Sequence, residues 1–177
     1  MTASFRTDEQ DSNRTKGVLL AGVGYSCLRD FSFGPVLVQK LQSLTWPAHV
    51  EIEDLSYGPI SVIHKLREES YEKIVLVGAV PRGGRPSGSI SKYRLERNLP
   101  DNEEIQARVE EAVAGVISLD NLIIICQYYE AFPEEVIVIE VEPETDTWGE
   151  DFSPKVQKAM EKVVEMVREE IGANTAF

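Results

Sequence analysis

The residues best suited to chemistry lie in a short loop after an apolar run near the start of the chain. The run 17–24 ends in glycines, and Cys27 follows it closely. A dinucleotide-binding loop needs the spacing G-x-G-x-x-G, and Gly22 and Gly24 supply only its first two glycines. Arg29 lies two residues after Cys27, and a cation near a thiol favours the thiolate, but no histidine that could act as a base is evident near Cys27. We therefore interpret this cysteine as a buried or half-buried side chain rather than as a nucleophile.

Metal and hydrolase chemistry have few candidate residues in this sequence. Protein metal sites need clustered His, Cys, Asp or Glu, and the chain has two histidines, His49 and His64. His49 is predicted at the entry to a strand and His64 inside a helix, so we interpret both as surface or boundary residues. The sequence has no G-x-S-x-G motif, and neither histidine falls on a loop at the carboxyl end of a strand, which leaves no basis for a hydrolase triad.

A second glycine-rich loop, residues 81–88, carries Arg82 and Arg85. Backbone N–H groups in such a loop can bind an anion. The plainer interpretation is a flexible connection to the next strand. A small-molecule or nucleotide-binding module built on the two glycine-bearing loops is therefore the lowest-ranked hypothesis of function.

The composition is that of a soluble globular protein. The chain has 177 residues, of which 42% are hydrophobic and 27% charged, which is enough for one buried core. Its net charge of −12 disfavours nucleic acid and anionic membranes as partners. No apolar run is long enough to cross a bilayer, no secretion signal is visible, and the two cysteines are isolated. We therefore expect a cytoplasmic protein with reduced thiols and no membrane insertion.

Apolar periodicity predicts strands that alternate with helices. The predicted strands are 17–24, 49–55, 73–80, 89–95 and 135–142. The strand at 73–80 has the clearest pattern. The predicted helices are 35–44, 59–69, a helical region within 102–129, and a final helix capped by Ser153. Such alternation predicts an α/β fold, a mostly parallel five-stranded sheet with helices on both faces. The single domain is expected to span residues 17–172, with a disordered tail at 1–16 and a short tail at 173–177.

Ligand sites in parallel sheets lie outside the carboxyl ends of the strands. For this chain the rule indicates the loops 24–34, 54–59 and 78–88. The residues expected to line a pocket or to contact a partner are Gly24, Tyr25, Asp30, Phe31, Asp54, Tyr57, Gly78, Arg82 and Arg85.

The order and spacing of several short motifs resemble the hydrogenase maturation proteases. In that family the first strand ends in Gly-x-Gly-Asn, and its loop carries an Asp followed by an acidic residue; here Gly24-Tyr25 and Asp30-Phe31 have the same spacing. The family's second strand ends in an Asp, here Asp54, and its third in Asp-Ala, here Gly78-Ala79. The resemblance spans about residues 17–171. It implies a three-layer sandwich with one antiparallel edge strand, introduced here at residues 86–88.

The resemblance implies an activity: removal of a C-terminal extension from the large subunit of a nickel–iron hydrogenase. Three side chains of the family are thought to bind or read the nickel, and the matching positions here hold Phe31, Gly78 and Gly115. None of these residues can coordinate a metal ion through its side chain. We therefore expect no metal and no cofactor.

Three hypotheses of function follow in decreasing order. The first is a non-catalytic relative without peptidase activity, which binds a partner protein or its C-terminal segment as a chaperone or scaffold. The partner would be a metalloenzyme subunit, for instance a hydrogenase large subunit. The second is an active nickel-dependent endopeptidase with displaced ligands, for which Asp30, Asp54 and Cys27 are weak candidates. The third is the small-molecule or nucleotide-binding module.

Overall fold

The computed structural model describes residues 16–116 and 118–172. The predicted tails, 1–16 and 173–177, lie outside these residues, except that Lys16 begins the first strand. The strands are β1 Lys16–Val23, β2 Val50–Asp54, β3 Tyr71–Ala79, β4 Ile90–Arg94 and β5 Glu135–Val141. The helices are α1 Phe33–Gln42, α2 Pro59–Glu69, α3 Asn102–Val113, α4 Leu119–Tyr128 and α5 Pro154–Glu170, with a 3-10 turn at Arg29–Ser32.

The five strands form one sheet in the order β2-β1-β3-β5-β4. Four of them are parallel, and β4 pairs antiparallel with β5 at one edge. The register places the ends of the central strands side by side, with Val23 opposite Gly78 and Gly78 opposite Glu140. The predicted mixed sheet with an antiparallel edge strand is confirmed.

Alternate residues of the central strand β3 face opposite sides of the sheet and build two cores. Ile74 and Leu76 face the side covered by α2 and α4, and Val75 and Val77 face the side covered by α1 and α5. All four side chains are at most 2% exposed. Burial of one such side chain contributes about 1.5–3 kcal/mol, so the three layers are held together chiefly by apolar packing.

Helix α1 begins two residues before its predicted start, and two glycines let its first turn approach β1 closely. A Cβ atom on Gly22 would lie 2.2 Å from the Gly34 carbonyl oxygen, and a Cβ on Gly34 would lie 2.4 Å from the Val23 nitrogen. No side chain fits at either position. The contact places the first turn of α1 and the loop before it against the carboxyl end of β1.

The helical region predicted within 102–129 contains two helices, and Gly115 ends the first of them. Gly115 has φ +90°, in the left-handed region that glycine adopts without strain. Its N–H donates to the Ala112 carbonyl at 3.1 Å, and the Val116 N–H donates to the Glu111 carbonyl at 2.9 Å. These two bonds form a Schellman motif, which terminates a helix.

The prediction that Ser153 caps the final helix is correct for its position and wrong for its hydrogen bond. Ser153 is the residue before α5, and Pro154 occupies the first turn. The Ser153 side chain makes no capping bond, and its hydroxyl is buried without a partner. Its backbone N–H donates to Asp30 Oδ1 instead. None of the helices in the described residues is long and apolar enough to cross a membrane.

Candidate functional site

A cleft of about 320 Å³ lies outside the carboxyl ends of β1 and β3. The N-terminus of α4 and the last turns of α3 form its far side. Its lining residues are Val23, Gly24, Tyr25, Phe31, Ala79, Val80, Pro81, Arg108, Glu111, Val116, Ser118, Leu119, Asp120 and Asn121. The cleft therefore occupies the edge of the sheet where parallel α/β folds place their ligands.

The first loop supplies an aromatic wall of this cleft. The Tyr25 N–H donates to the Phe31 carbonyl at 3.0 Å, and the two rings meet edge to face with centroids 6.4 Å apart. The Gly24 N–H donates to Ser56 Oγ at 3.0 Å, which ties the loop to the end of β2. Gly24, Tyr25 and Phe31 are thus brought together at the cleft, where Phe31 presents an apolar ring.

Gly78 was predicted to line the pocket but is not among the lining residues, and the space beside it is already filled. A Cβ atom there would lie 2.8 Å from the Val23 carbonyl oxygen and 3.3 Å from the Leu119 side chain. The neighbouring residue Ala79 lines the cleft in its place. Any side chain at position 78 would have to displace the backbone of β1.

Gly115 lies at the end of α3, next to the cleft-lining Val116. A Cβ atom at this position would meet open space, but its φ of +90° strains any residue other than glycine. Of the three positions Phe31, Gly78 and Gly115, only Phe31 lines the cleft, and none of the three offers it a coordinating side chain.

Asp30 points away from the cleft and binds backbone amides of a distant loop. It is fully buried, and its carboxylate accepts hydrogen bonds from the N–H groups of Glu144 at 2.8 Å, Thr145 at 3.2 Å and Ser153 at 2.8 Å. Asp30 fastens the segment between β5 and α5 to the first loop.

Asp54 and Tyr57 lie at the end of β2, outside the residues that line the cleft. Asp54 is exposed, and its Oδ1 accepts from the Ser56 N–H at 2.9 Å in a local turn. The Tyr57 hydroxyl donates to Glu53 Oε1 at 3.0 Å. Burial, followed by the hydrogen bond to Glu53, raises the pKa of Tyr57 to about 12. Both residues organise the β2–α2 connection.

Cys27 is half-buried and also lies outside the cleft lining. It has φ +59°, and its carbonyl accepts from the Gly149 N–H at 2.9 Å. The backbone N–H of Arg29 returns a bond to the Gly149 carbonyl at 2.9 Å. The predicted half-buried cysteine is confirmed, and this part of the loop serves to pair with residue 149. The second thiol, Cys126, is buried, and burial raises its pKa to about 12.

The glycine-rich loop 81–88 does hold an anion, and the anion is a side chain of the chain itself. The N–H groups of Arg82 and Gly83 donate to the Glu142 carboxylate at 3.2 and 3.1 Å. The Arg85 guanidinium lies 3.2 Å from the same carboxylate. Glu142 is 5% exposed, so the anion-binding geometry that the loop composition suggested is used internally.

Arg82 connects the loop to β5 and to the N-terminus of α4. Its guanidinium donates two hydrogen bonds to the Asp120 carboxylate, at 2.8 and 3.0 Å, and two to the buried Glu140. The Tyr93 hydroxyl on β4 donates to Glu140 at 2.6 Å. Burial acts to raise the pKa of Glu140, but the hydrogen bonds from Arg82 and Tyr93 hold it below its ordinary value.

A polar group on α3 and α4 completes the cleft, and the sequence analysis did not single it out. Arg108 Nη1 donates to Glu111 Oε2 at 2.9 Å and to Asn121 Oδ1 at 3.3 Å. Contact with Arg108, and then with Asn121, lowers the pKa of Glu111. The (i, i+3) spacing of Arg108 and Glu111 was a visible signal. Asn121 meets them only because the chain reverses at Gly115.

Comparison with known proteins identifies the relatives of this fold. The family model for hydrogenase maturation proteases matches residues 35–170. The crystal structure of a hydrogenase 2 maturation peptidase from a Thaumarchaeota archaeon is 31% identical, covers 90% of this chain and all of its own, and has a TM-score of 0.65.

Two more distant similarities support the same fold. The hydrogenase maturating endopeptidase HybD of E. coli is 21% identical, with 86% of this chain and 93% of that one covered and a TM-score of 0.61. A protein of Methanocaldococcus jannaschii, provisionally named a hydrogenase maturation protease, is 24% identical over 165 residues, which are 89% of this chain and 98% of the relative.

Proposed function

This chain belongs to the hydrogenase maturation protease family, and we propose that it is a non-catalytic member that binds a partner protein. In this proposal the cleft holds the C-terminal segment of the partner without cutting it. The protein then acts as a chaperone or scaffold during the maturation or assembly of a metalloenzyme. A hydrogenase large subunit is the first partner to test, because the family acts on that subunit.

The observation that carries the proposal is the cleft itself, which persists while the positions matched to the family's nickel ligands have changed. Phe31 lines it with an aromatic ring, Gly78 is packed against β1, and Gly115 terminates α3. In the part of the chain that the structure describes, no three His, Cys, Asp or Glu side chains lie close enough together to hold a metal ion. These residues do not fit the nickel-dependent reaction of the family.

The cleft retains what a peptide-binding site needs. Apolar side chains of β1, the first loop and α4 form its walls, and polar groups of α3 and α4 lie at one side. A volume of about 320 Å³ is at the small end of ligand pockets, which span about 300–1,000 Å³. This size suits a short segment of chain rather than a folded surface.

The alternative of an active endopeptidase depends on displaced ligands, and the three candidates are placed unfavourably for it. Asp30 is buried and accepts three backbone hydrogen bonds, and Asp54 and Cys27 lie outside the cleft lining. Calorimetric titration with nickel tests this alternative directly. Binding at one equivalent that is lost in Asp54→Ala or Cys27→Ala would revive it.

The nucleotide-binding alternative is opposed by the contacts of its proposed anion site. Arg82 and Arg85 pair with carboxylates of the chain itself, and two loop N–H groups hold Glu142. A thermal-shift screen with nucleotides and inorganic phosphate tests it. Ligand binding to the native state must raise the melting temperature, and we expect no rise at millimolar concentrations.

Partner binding is tested by co-purification with a hydrogenase large-subunit precursor. We expect the precursor with its C-terminal extension to be retained on immobilised protein. The same subunit without the extension is the control, and it should be retained weakly. Equal retention of both forms, or of neither, would contradict binding through the C-terminal segment.

A further inference from the structure

The cleft contains two hydrogen-bond donors without acceptors. Arg108 Nε and Asn121 Nδ2 are both shielded from solvent and lack a hydrogen-bond partner. The whole Asn121 residue is 1% exposed, and both residues line the cleft. The bond from Arg108 Nη1 to Asn121 Oδ1 fixes the orientation of the amide, so that its nitrogen remains available as a donor. Although Asn121 lies near Glu111, no acceptor is within good hydrogen-bond geometry of Nδ2.

Buried polar groups are nearly always hydrogen-bonded, so two donors without acceptors call for an acceptor from outside. A carbonyl oxygen is the simplest such acceptor. The Glu111 carboxylate, which is 44% exposed beside them, can accept an N–H group in the same region. One C=O and one N–H are what a peptide unit offers.

The charges around the cleft are paired with one another. Arg108 lies 2.9 Å from Glu111, and Arg82 lies 2.8 Å from Asp120 in a two-pronged contact. Among the described residues that line the cleft, none offers a free cation for a carboxylate or a free anion for an amine. A charged ligand would have to break a pair or remain uncompensated in a partly dry site, which is costly.

We propose that the cleft recognises an uncharged, apolar stretch of the partner's C-terminal segment, before its terminal carboxylate, through the peptide backbone, with Arg108 and Asn121 donating to a carbonyl oxygen and Glu111 accepting an N–H. This inference rests on the proposed function and deepens it by defining the chemistry of the segment. Phe31 and Leu119 contribute apolar contact for the side chains of the segment. In this proposal the Phe31 ring binds the peptide at the position where the family has a nickel-binding side chain.

The test is an NMR titration with four matched probes. The first is N-acetyl-Leu-Val-Leu-amide, the second and third carry Glu or Lys in place of Val, and the fourth has a free C-terminal carboxylate. We expect the neutral probe to bind at least tenfold more tightly than each charged one. It should also shift the side-chain resonances of Asn121 Nδ2 and Arg108 Nε. Binding of the probe at another surface would leave these resonances unchanged.

Substitution of Arg108 provides a second readout. Arg108→Met removes the cation that pairs with Glu111, so the neutral probe should lose about tenfold in affinity and the Lys probe should become preferred over the Glu probe. Arg97→Met, on the exposed segment after β4, is the matched control and should bind all four probes as the parent does. The melting temperature of each variant confirms that it is folded.

The outcomes separate this inference from the proposed function. If a charged probe binds as tightly as the neutral one, or if the precursor is retained but no probe binds, the inference is wrong and partner binding stands. If the neutral probe binds but the precursor is not retained, the inference stands and the proposed partner is wrong.

Discussion

At the scale of single residues, Asp30 and two of the positions matched to the family's nickel ligands make structural contacts. Asp30 keeps its place in the sequence, yet its carboxylate is turned into the protein to bind three amides. Gly78 and Phe31 are adapted to packing and to an apolar wall. A residue that aligns with a functional position therefore needs its contacts examined before it is assigned a role.

Replacement of Asp30 should be costly, and replacement of Asp54 should not. In Asp30→Asn one acceptor oxygen becomes an NH₂ group that faces a backbone N–H, so we expect the free energy of unfolding to fall by about 3 kcal/mol. Asp54→Asn is the matched control, since its exposed carboxylate accepts one local bond, and it should change stability by less than about 1 kcal/mol. Urea denaturation measures both, and equal effects would show that Asp30 does not fasten the segment.

Restoring a side chain at position 78 should destabilise the protein. Gly78→Ser places a Cβ 2.8 Å from the Val23 carbonyl oxygen, and we expect a loss of about 1–3 kcal/mol. Gly58→Ser is the control, because a Cβ there meets nothing within 4 Å and serine suits the position before a helix. Thermal unfolding should separate the two variants clearly. If Gly78→Ser were as stable as the parent, a ligand could be restored there easily.

At the scale of elements, the cleft depends on two connections at the ends of helices. The Schellman motif at Gly115 turns the chain between α3 and α4, which brings Asn121 beside Arg108. Arg82 then fixes the N-terminus of α4 to β5 through Asp120 and Glu140. These contacts join the elements that form the walls of the cleft.

For one of three helix caps, the sequence and the structure predict different costs in stability when the capping residue is replaced by alanine. Ser118 accepts from the Asn121 N–H at 3.1 Å and Asp101 from the Glu104 N–H at 2.8 Å, so replacing either by alanine should cost about 1 kcal/mol. The sequence alone predicts the same cost at Ser153. Because the Ser153 hydroxyl makes no capping bond, we expect Ser153→Ala to change the unfolding free energy by less than about 0.5 kcal/mol. Chemical denaturation of the three variants decides the point.

The Glu140 network makes stability depend on pH in the acid range. Burial acts to raise the pKa of Glu140, but Arg82 and Tyr93 hold the folded pKa below the ordinary value of 4.5. A lowered pKa gives stabilisation that is present above pH 4.5 and is lost as the pH falls through the folded pKa. The unfolding free energy should therefore decline with acidification below about pH 4.5, more steeply in the parent than in Glu140→Gln. Parallel declines would contradict this role of Glu140.

At the scale of the whole molecule, the sequence predicted the layers well because strand and helix patterns are local. The bounds of α2 agree with the prediction, and the five predicted strands are all present in the sheet. The site was predicted less completely, because its contacts join residues far apart in the chain. Nothing near Asp30 in sequence indicates its bonds to residues 144–153, and nothing near Arg82 indicates Asp120 and Glu140.

In the proposed function, the cleft binds a C-terminal segment of the partner without cutting it. The most direct measurement is the intact mass of a hydrogenase large-subunit precursor loaded with nickel, after incubation with this protein at equimolar concentration and recovery of the complex by size exclusion. We predict a stable complex in which the precursor keeps its full mass, whereas a cleaving family member incubated in parallel shortens it. Loss of the C-terminal extension in the presence of this protein would contradict the claim.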